Sequence, residues 1–379
     1  MKAGLIYEIE SIKPHTPDHE YRIFWETMAQ IELADSLGYD SVWTVEHHFL
    51  NEFSYCSAPE VFLACVSQRT RQIRIGHGVV VLPFNHPVRV AERIAVLDIM
   101  SNGRVELGTG RATTMNELLG FHVAPADTRP RWAEAIEMIP RMWREDPFGY
   151  RGNYWMVDPP QSVIPKPIQK PHPPLWVAAT NPDTFALAAS KGLGVLCFTL
   201  GVELPEVQNR IQIYRDGIAQ ACPVGLAINN QVSMNIMGLV ADDPAAAEKI
   251  ARDAVLWYVR RGFELVSSVA RAAAAEQSYK YLSNAARYDP EQITGDYFEF
   301  LKENDLVAIG GADEALRIAR IYREMGADQV LFFFQYGAIP HERIMRAIEI
   351  VGREILPEIH SWPTPGAITP IRPQRHEGH

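Results

Sequence analysis

The sequence predicts an α/β fold of the (β/α)8 TIM barrel type, as one domain over residues 1–360. Three observations predict it. Short apolar runs alternate with helically spaced apolar patterns about eight times, which is the pattern of parallel strands with helices outside. A length of 379 residues suits one such barrel. No glycine-rich fingerprint follows the first apolar run, where Glu8-Ile9-Glu10-Ser11 stands. An open doubly wound sheet normally carries one.

Taken in order, Ala3–Tyr7 reads as the first strand. Arg22–Leu37 has apolar residues at helical spacing and stops at Gly38, a residue that readily takes the left-handed conformation of a helix end. Ser41–Val45 is the second strand. Ile73–Leu82 is long, β-branched and ends at Pro83. Val88–Met100 is a helix set between Pro87 and Gly103, the usual start and stop residues. Arg104–Thr109 is a strand and Arg131–Arg144 an amphipathic helix. Proline-rich Pro159–Pro174 predicts an extended surface connection, because proline lacks the N–H that regular structure uses. Strands Leu175–Ala179, Gly194–Thr199, Gln231–Val240 and Asp328–Phe334 then alternate with helices Asp183–Lys191, Asp243–Val259 and Asp313–Met325. Two segments fall outside the repeat. Arg260–Asn304 has helical patches such as Arg271–Gln277 but no strand, and reads as an insertion over one face of the barrel. Ser361–His379 is rich in Pro, Arg and His and reads as a flexible tail or a wrap onto a partner subunit.

Composition narrows the function classes. With 47% hydrophobic and 22% charged residues, the chain is a folded globular protein rather than a disordered or fibrous one. A net charge of −10 excludes the basic footprint of a nucleic-acid binder. No apolar run approaches the roughly 20 residues that span a bilayer. Four cysteines make neither a disulfide framework nor a CxxC zinc motif. A soluble, reduced, cytoplasmic protein is expected.

Function in a (β/α)8 barrel collects at the C-terminal ends of the strands. After Ser41–Val45 comes Glu46-His47-His48-Phe49. Side chains alternate along a strand, so one histidine faces the barrel mouth while the other packs behind it. Such an imidazole can bind a proton or a metal, or be a hydrogen-bonded structural residue. His77 and His86 are the nearest further donors, but no HxH or HExxH spacing joins them, and no metal is predicted. After Arg104–Thr109 come Gly110 and Arg111, a small residue for close approach and a planar fork suited to phosphate. A tight turn with a surface arginine is the plainer reading. Thr180-Asn181-Pro182-Asp183-Thr184 opens a helix, with Asn181 as cap and Pro182 at the first position. A helix start offers free N–H groups to an anion. Together with Arg111 it predicts one phosphate held between two strand ends. Without a Walker loop or a dinucleotide fingerprint, that points to a mononucleotide such as FMN. Gly78, inside a strong strand, marks a bulge or a close backbone approach, as to a flat ring, or simply barrel packing.

These residues resemble the bacterial luciferase-like flavin monooxygenases, from Met1 to about Pro357. The strongest element is Trp43-Thr44-Val45-Glu46-His47-His48-Phe49. Next comes Val81-Leu82-Pro83-Phe84-Asn85-His86-Pro87-Val88-Arg89, followed by Ala91-Glu92 and by Leu97-Asp98-Ile99-Met100-Ser101-Asn102-Gly103-Arg104. Gly310-Gly311-Ala312-Asp313-Glu314, Met325-Gly326-Ala327-Asp328 and Pro340-His341-Glu342 follow in order. The resemblance implies a barrel that takes reduced FMN from a separate NAD(P)H:flavin reductase. Oxygen adds to that flavin, and the resulting flavin peroxide oxygenates a small hydrophobic substrate; oxidation of an aldehyde, Baeyer–Villiger insertion into a ketone and hydroxylation of a hydrophobic carbon all stay open. By the same resemblance His47 assists the oxygen chemistry. Arg111, Thr180, Asn181 and Thr184 hold the phosphate. Gly78-Val79 is a non-prolyl cis peptide against the flavin ring.

Gly110 stands where the light-emitting luciferase subunit has a reactive cysteine, Ala112-Thr113-Thr114 replaces a glycine-led turn, and Thr180-Asn181 replaces an acidic residue and a serine. Light emission is therefore not implied. Tyr7, Phe49, Phe84, Phe198 and Phe334 near strand ends suggest an apolar pocket, with simple core packing the alternative for most of them. Two other readings stay open: a deazaflavin-dependent dehydrogenase on the same barrel, and a flavin-binding relative without turnover. The resemblance also implies a dimer, homomeric or heteromeric, through Pro59–Gln68 and Val88–Met100.

Overall fold

The computed structural model describes residues 1–112, 114–199, 202–272 and 296–371. Its first half runs β1 (Lys2–Tyr7), α1 (His19–Leu37), β2 (Ser41–Thr44), α2 (Pro59–Arg69), β3 (Arg74–Val81), α3 (Pro87–Met100), β4 (Val105–Gly110), α4 (Met115–Gly120), α5 (Pro125–Arg144), β5 (Phe148–Arg151) and β6 (Met156–Gln161). Its second half runs β7 (Leu175–Ala179), α6 (Pro182–Ser190), β8 (Gly194–Cys197), α7 (Leu204–Ile218), β9 (Ala227–Asn229), β10 (Val232–Val240), α8 (Pro244–Ala272), α9 (Tyr297–Glu303), β11 (Val307–Gly310), α10 (Ala312–Glu324), β12 (Gln329–Phe333), α11 (His341–Ile350), α12 (Leu356–Ser361) and β13 (Ile368–Pro370).

The eight runs read as strands close a parallel ring. Its order is β12–β1–β2–β3–β4–β7–β8–β10, and β10 pairs back onto β12. This is the (β/α)8 barrel that the sequence predicts. A ninth parallel strand, β11, lies against the far end of β10, where Met237–Val240 face Val307–Gly310. It was not anticipated, because four residues between two helices carry little periodicity. The helix signals hold as read. Gly38 takes φ 86° at the end of α1, and Pro87 and Pro182 open α3 and α6.

The barrel interior is filled by large side chains rather than left as a pore. Trp43 on β2 and Trp176 on β7 meet edge to face at 5.5 Å, both fully buried. Their indole N–H groups are satisfied: Trp43 donates to Ser41 Oγ at 3.0 Å and Trp176 to Glu106 Oε2 at 2.7 Å. Gly76 on β3 makes room for the first indole. A Cβ there would fall 2.2 Å from the Trp43 ring.

Three segments differ from, or extend, the expectations. Pro159 and Pro160 lie in β6, which pairs antiparallel with β5. The proline-rich stretch therefore begins in a hairpin, on a two-stranded ribbon whose outer edge tolerates a missing N–H. Within the expected insertion, α8 runs on to Ala272 and α9 follows at Tyr297. Residues 273–295, which hold most of the Arg271–Gln277 patch, lie outside the described residues. In the expected tail, Ile368–Pro370 pairs antiparallel with Ala227–Asn229, and Gly366 N–H donates to buried Asp328.

Candidate active site

The C-terminal ends of the strands surround a cavity of about 700 Å³. His47, Gly78, Val79, Arg111, Thr180 and Asn181 all line it. Gly110 and Thr184 stand behind the wall. A Cβ on Gly110 would fall 2.5 Å from Val79 Cγ2, so this glycine gives Val79 its place. Thr184 donates its N–H and its hydroxyl to Asn181 Oδ1 at 3.0 and 3.1 Å. The Asn181 carboxamide oxygen is thereby spent on capping α6. The Gly78–Val79 peptide is cis, as the resemblance implies.

The two histidines divide as strand alternation predicts. His47 lines the cavity, and its Nδ1 lies 3.0 Å from Glu117 Oε1. His48 turns away, with Nε2 3.1 Å from Glu46 Oε1 and its ring edge-on to Phe121 at 4.7 Å. Glu117 comes from the first turn of α4 and is almost wholly buried, with its side chain 1% exposed. Two groups besides His47, the Thr114 hydroxyl and the His48 N–H, engage it in three hydrogen bonds. Thr114 Oγ1 donates to its Oε2 at 2.7 Å, the Glu117 N–H donates back to that hydroxyl at 3.4 Å, and His48 N–H donates to Oε1 at 3.1 Å.

The electrostatics follow from this geometry. Burial alone would lift the Glu117 carboxyl. The His47 charge and the donors from Thr114 and His48 outweigh burial and hold it below its ordinary value. Burial alone would lower His47. The Glu117 carboxylate, with Glu8 and Glu46 behind it, outweighs that and raises His47 to about 9. The histidine is therefore an imidazolium near neutral pH, a proton donor rather than a base.

A basic end adjoins this pair. β4 and β7 are neighbours, with Thr109 opposite Val177, so Arg111 and Thr180 leave adjacent strands side by side. Arg210 on α7 reaches the same place, donating Nε to Glu206 at 2.9 Å and a terminal nitrogen to the Thr180 carbonyl at 2.6 Å. Two guanidinium groups and a helix start make a donor set that fits a phosphate. Trp43, Val79, Leu196 and Phe198 line the same cavity with apolar surface that fits a flat ring. The residues present thus fit FMN.

The aromatic lining differs from the one expected. Of Tyr7, Phe49, Phe84, Phe198 and Phe334, only Phe198 lines the cavity. Tyr7 and Phe334 are buried in the core, and Phe49 and Phe84 pack on Phe121. The other aromatic walls come from Phe53, Tyr258, Phe263, Tyr297 and Phe333. Sequence reading also missed Glu8, Glu117 and Arg210. Glu117 had a signal, since Thr114-Met115-Asn116-Glu117 has the spacing of a capping box. Glu8 had one too, as the residue that follows the first strand.

A family model described as luciferase-like monooxygenase matches residues 12–329. The oxygenase component of a flavin-dependent trigonelline monooxygenase from Acinetobacter baylyi is 27% identical over 364 residues, covering 94% of this chain and 95% of that protein. An F420-dependent glucose-6-phosphate dehydrogenase from Amycolatopsis mediterranei is 31% identical over 180 residues, 45% of this chain and 53% of that protein. Among solved structures, the monooxygenase RslO1 from Streptomyces bottropensis superposes with a TM-score of 0.75 at 26% identity, covering 95% of this chain and 100% of that one. Because the family match runs through most of the barrel and both sides of the cavity, the chain belongs to the luciferase-like monooxygenases.

Proposed function

We propose that this protein is the oxygenase component of a flavin-dependent monooxygenase. It would use reduced FMN and O2 to oxygenate a small hydrophobic substrate, with a separate NAD(P)H:flavin reductase supplying the reduced flavin. The observation that carries the reading is one apolar cavity with a phosphate-type end at Arg111 and Thr180 and a buried His47–Glu117 pair. Reduced FMN, when bound, supplies the electrons that activate oxygen. Arg111, Thr180 and Arg210 would hold the phosphate, and Gly78–Val79 would lie against the ring. Glu117 fixes the orientation of His47 and keeps a proton on it for delivery to reacting oxygen. Tyr258, Phe263 and Val266 of α8 and Tyr297 of α9 shield the cavity from water. All four cysteines are free thiols, which suits the reducing cytoplasm where such a reductase would work.

The deazaflavin reading is kept because an F420-dependent relative covers nearly half of the chain. Titration with FMN in both redox states and with F420, joined to oxygen uptake by the reduced-FMN complex, separates the readings. Binding of FMN with protein-dependent control of oxygen uptake is expected. Preference for F420 would instead assign a dehydrogenase. Tight binding of oxidised FMN without any effect on oxygen uptake would assign a storage protein.

A further inference from the structure

Glu8 is a cavity-lining carboxyl with a buried oxygen that has no partner among the described residues. It follows β1 directly, lines the cavity and is 9% exposed. Its Oε1 accepts the Tyr258 hydroxyl at 2.8 Å. Its buried Oε2 has no hydrogen-bond partner among the described residues. A buried acceptor left unpaired is costly, so such a group in a cavity wall points to a ligand that completes it.

The surroundings say which ligand. Tyr258 stacks on Phe53 at 5.2 Å and meets Phe333 edge to face at 5.3 Å, and Phe53 contacts the His47 ring at 6.2 Å. The carboxyl therefore sits in an aromatic wall beside the His47–Glu117 pair. Burial lifts Glu8 above its ordinary value, against the pull of His47 and the Tyr258 hydroxyl. A carboxyl shifted toward its protonated form, beside the raised His47, disfavours a cationic ligand. It suits an uncharged oxygen, to which it can donate or from which it can accept.

We infer that Glu8, steadied by Tyr258, orients the substrate by bonding a hydroxyl or carbonyl oxygen on an otherwise apolar molecule. Glu8 is thus a specificity-determining residue, and the substrate class is oxygen-bearing (a phenol, enol or ketone) rather than pure hydrocarbon or amine. This rests on the proposed function, in that it places the substrate in the same cavity.

The test uses 2-naphthol and its apolar near-isostere 2-methylnaphthalene as probes, with affinities read by fluorescence in the full-length protein. In wild type 2-naphthol binds below about 1 mM, and Glu8→Leu lowers the affinity ratio of naphthol to methylnaphthalene by about tenfold. Glu8→Gln, which keeps donor and acceptor, holds that ratio within about threefold of wild type. An unchanged ratio in Glu8→Leu, or no 2-naphthol binding to wild type, overturns the inference. Should Glu8→Leu fail to fold, difference infrared spectra decide. A carboxyl stretch that shifts on adding 2-naphthol to wild type and is missing in Glu8→Gln supports the inference, and no shift overturns it. FMN titration of the same samples keeps the two ideas apart. Normal FMN binding with no Glu8 effect defeats this inference alone. A Glu8 effect without FMN binding defeats the cofactor reading alone.

Discussion

His47 meets two opposing forces: burial, which favours the neutral ring, and the carboxylates of Glu117, Glu8 and Glu46, which favour the cation. The carboxylates prevail because Glu117 is in contact and is itself held ionised by Thr114 and His48. His47 is raised above its ordinary 6.5 to about 9. The stability it contributes is therefore fully present below pH 6.5 and is lost as pH rises through about 9. Glu117 is depressed, so its contribution is present above its ordinary 4.5 and is lost as pH falls through its folded value. Replacing Glu117 with Gln leaves burial as the main influence on His47. NMR titration should find that ring near 9 in wild type and clearly lower in Glu117→Gln. Turnover of an accepted substrate in His47→Ala should fall by ~10²- to 10⁴-fold while FMN still binds. An unmoved titration in Glu117→Gln, or retained turnover in His47→Ala, contradicts the role given to the pair.

At the scale of elements, β3 shows why certain glycines are fixed. Gly76 lies beside the Trp43 indole with no room for a Cβ, and that indole is boxed in by Trp176. Gly76→Ala should destabilise the barrel by roughly 1–3 kcal/mol, the usual cost of overpacking, as read by urea unfolding. Unaltered stability would mean that the indole layer is looser than described. The same strand shows what the sequence revealed. Long β-branched runs and end residues such as Gly38, Pro87 and Asn181 revealed the eight strands and several of the helices between them, because period and caps are local properties, whereas α7 and α11 were not read. His47 was legible as a strand-end residue. Its partner was not. Thr114-Met115-Asn116-Glu117 reads as an ordinary helix start, and only the fold brings that carboxylate to a histidine 70 residues away. The pairing of Glu8 with Tyr258 was hidden for the same reason, since Tyr258 reaches it from a helix 250 residues on. Val307–Gly310 escaped because so short a run takes its strand form from β10 beside it.

At the scale of the molecule, two features lie far from the cavity. β13 and Gly366 tie residues 366–370 back to β9 and to Asp328, which also receives Arg215 at 2.6 Å and Val232 N–H at 2.7 Å. On another face, α2 and α3 lie side by side and expose Val61, Val96, Ile99 and Met100. We propose that a second copy of the chain covers this apolar face, which coincides with the dimer surface the family resemblance implies. Sedimentation of wild type should give a dimer, and Val96→Glu should give a monomer that still folds. A monomeric wild type, or a dimer that survives Val96→Glu, would place the interface elsewhere.

We propose that the cavity takes a flavin mononucleotide by its phosphate, between Arg111 on one strand end and Thr180 on the next. Comparing FMN with riboflavin, which lacks only that phosphate, in wild type and in Arg111→Ala tests it most directly. Wild type should bind FMN roughly 10- to 100-fold more tightly than riboflavin, as expected for a few charge-assisted hydrogen bonds. Arg111→Ala should erase most of that difference and leave riboflavin affinity nearly unchanged. Equal affinity for the two flavins in wild type, or an FMN preference indifferent to Arg111, would mean that these residues do not grip the phosphate.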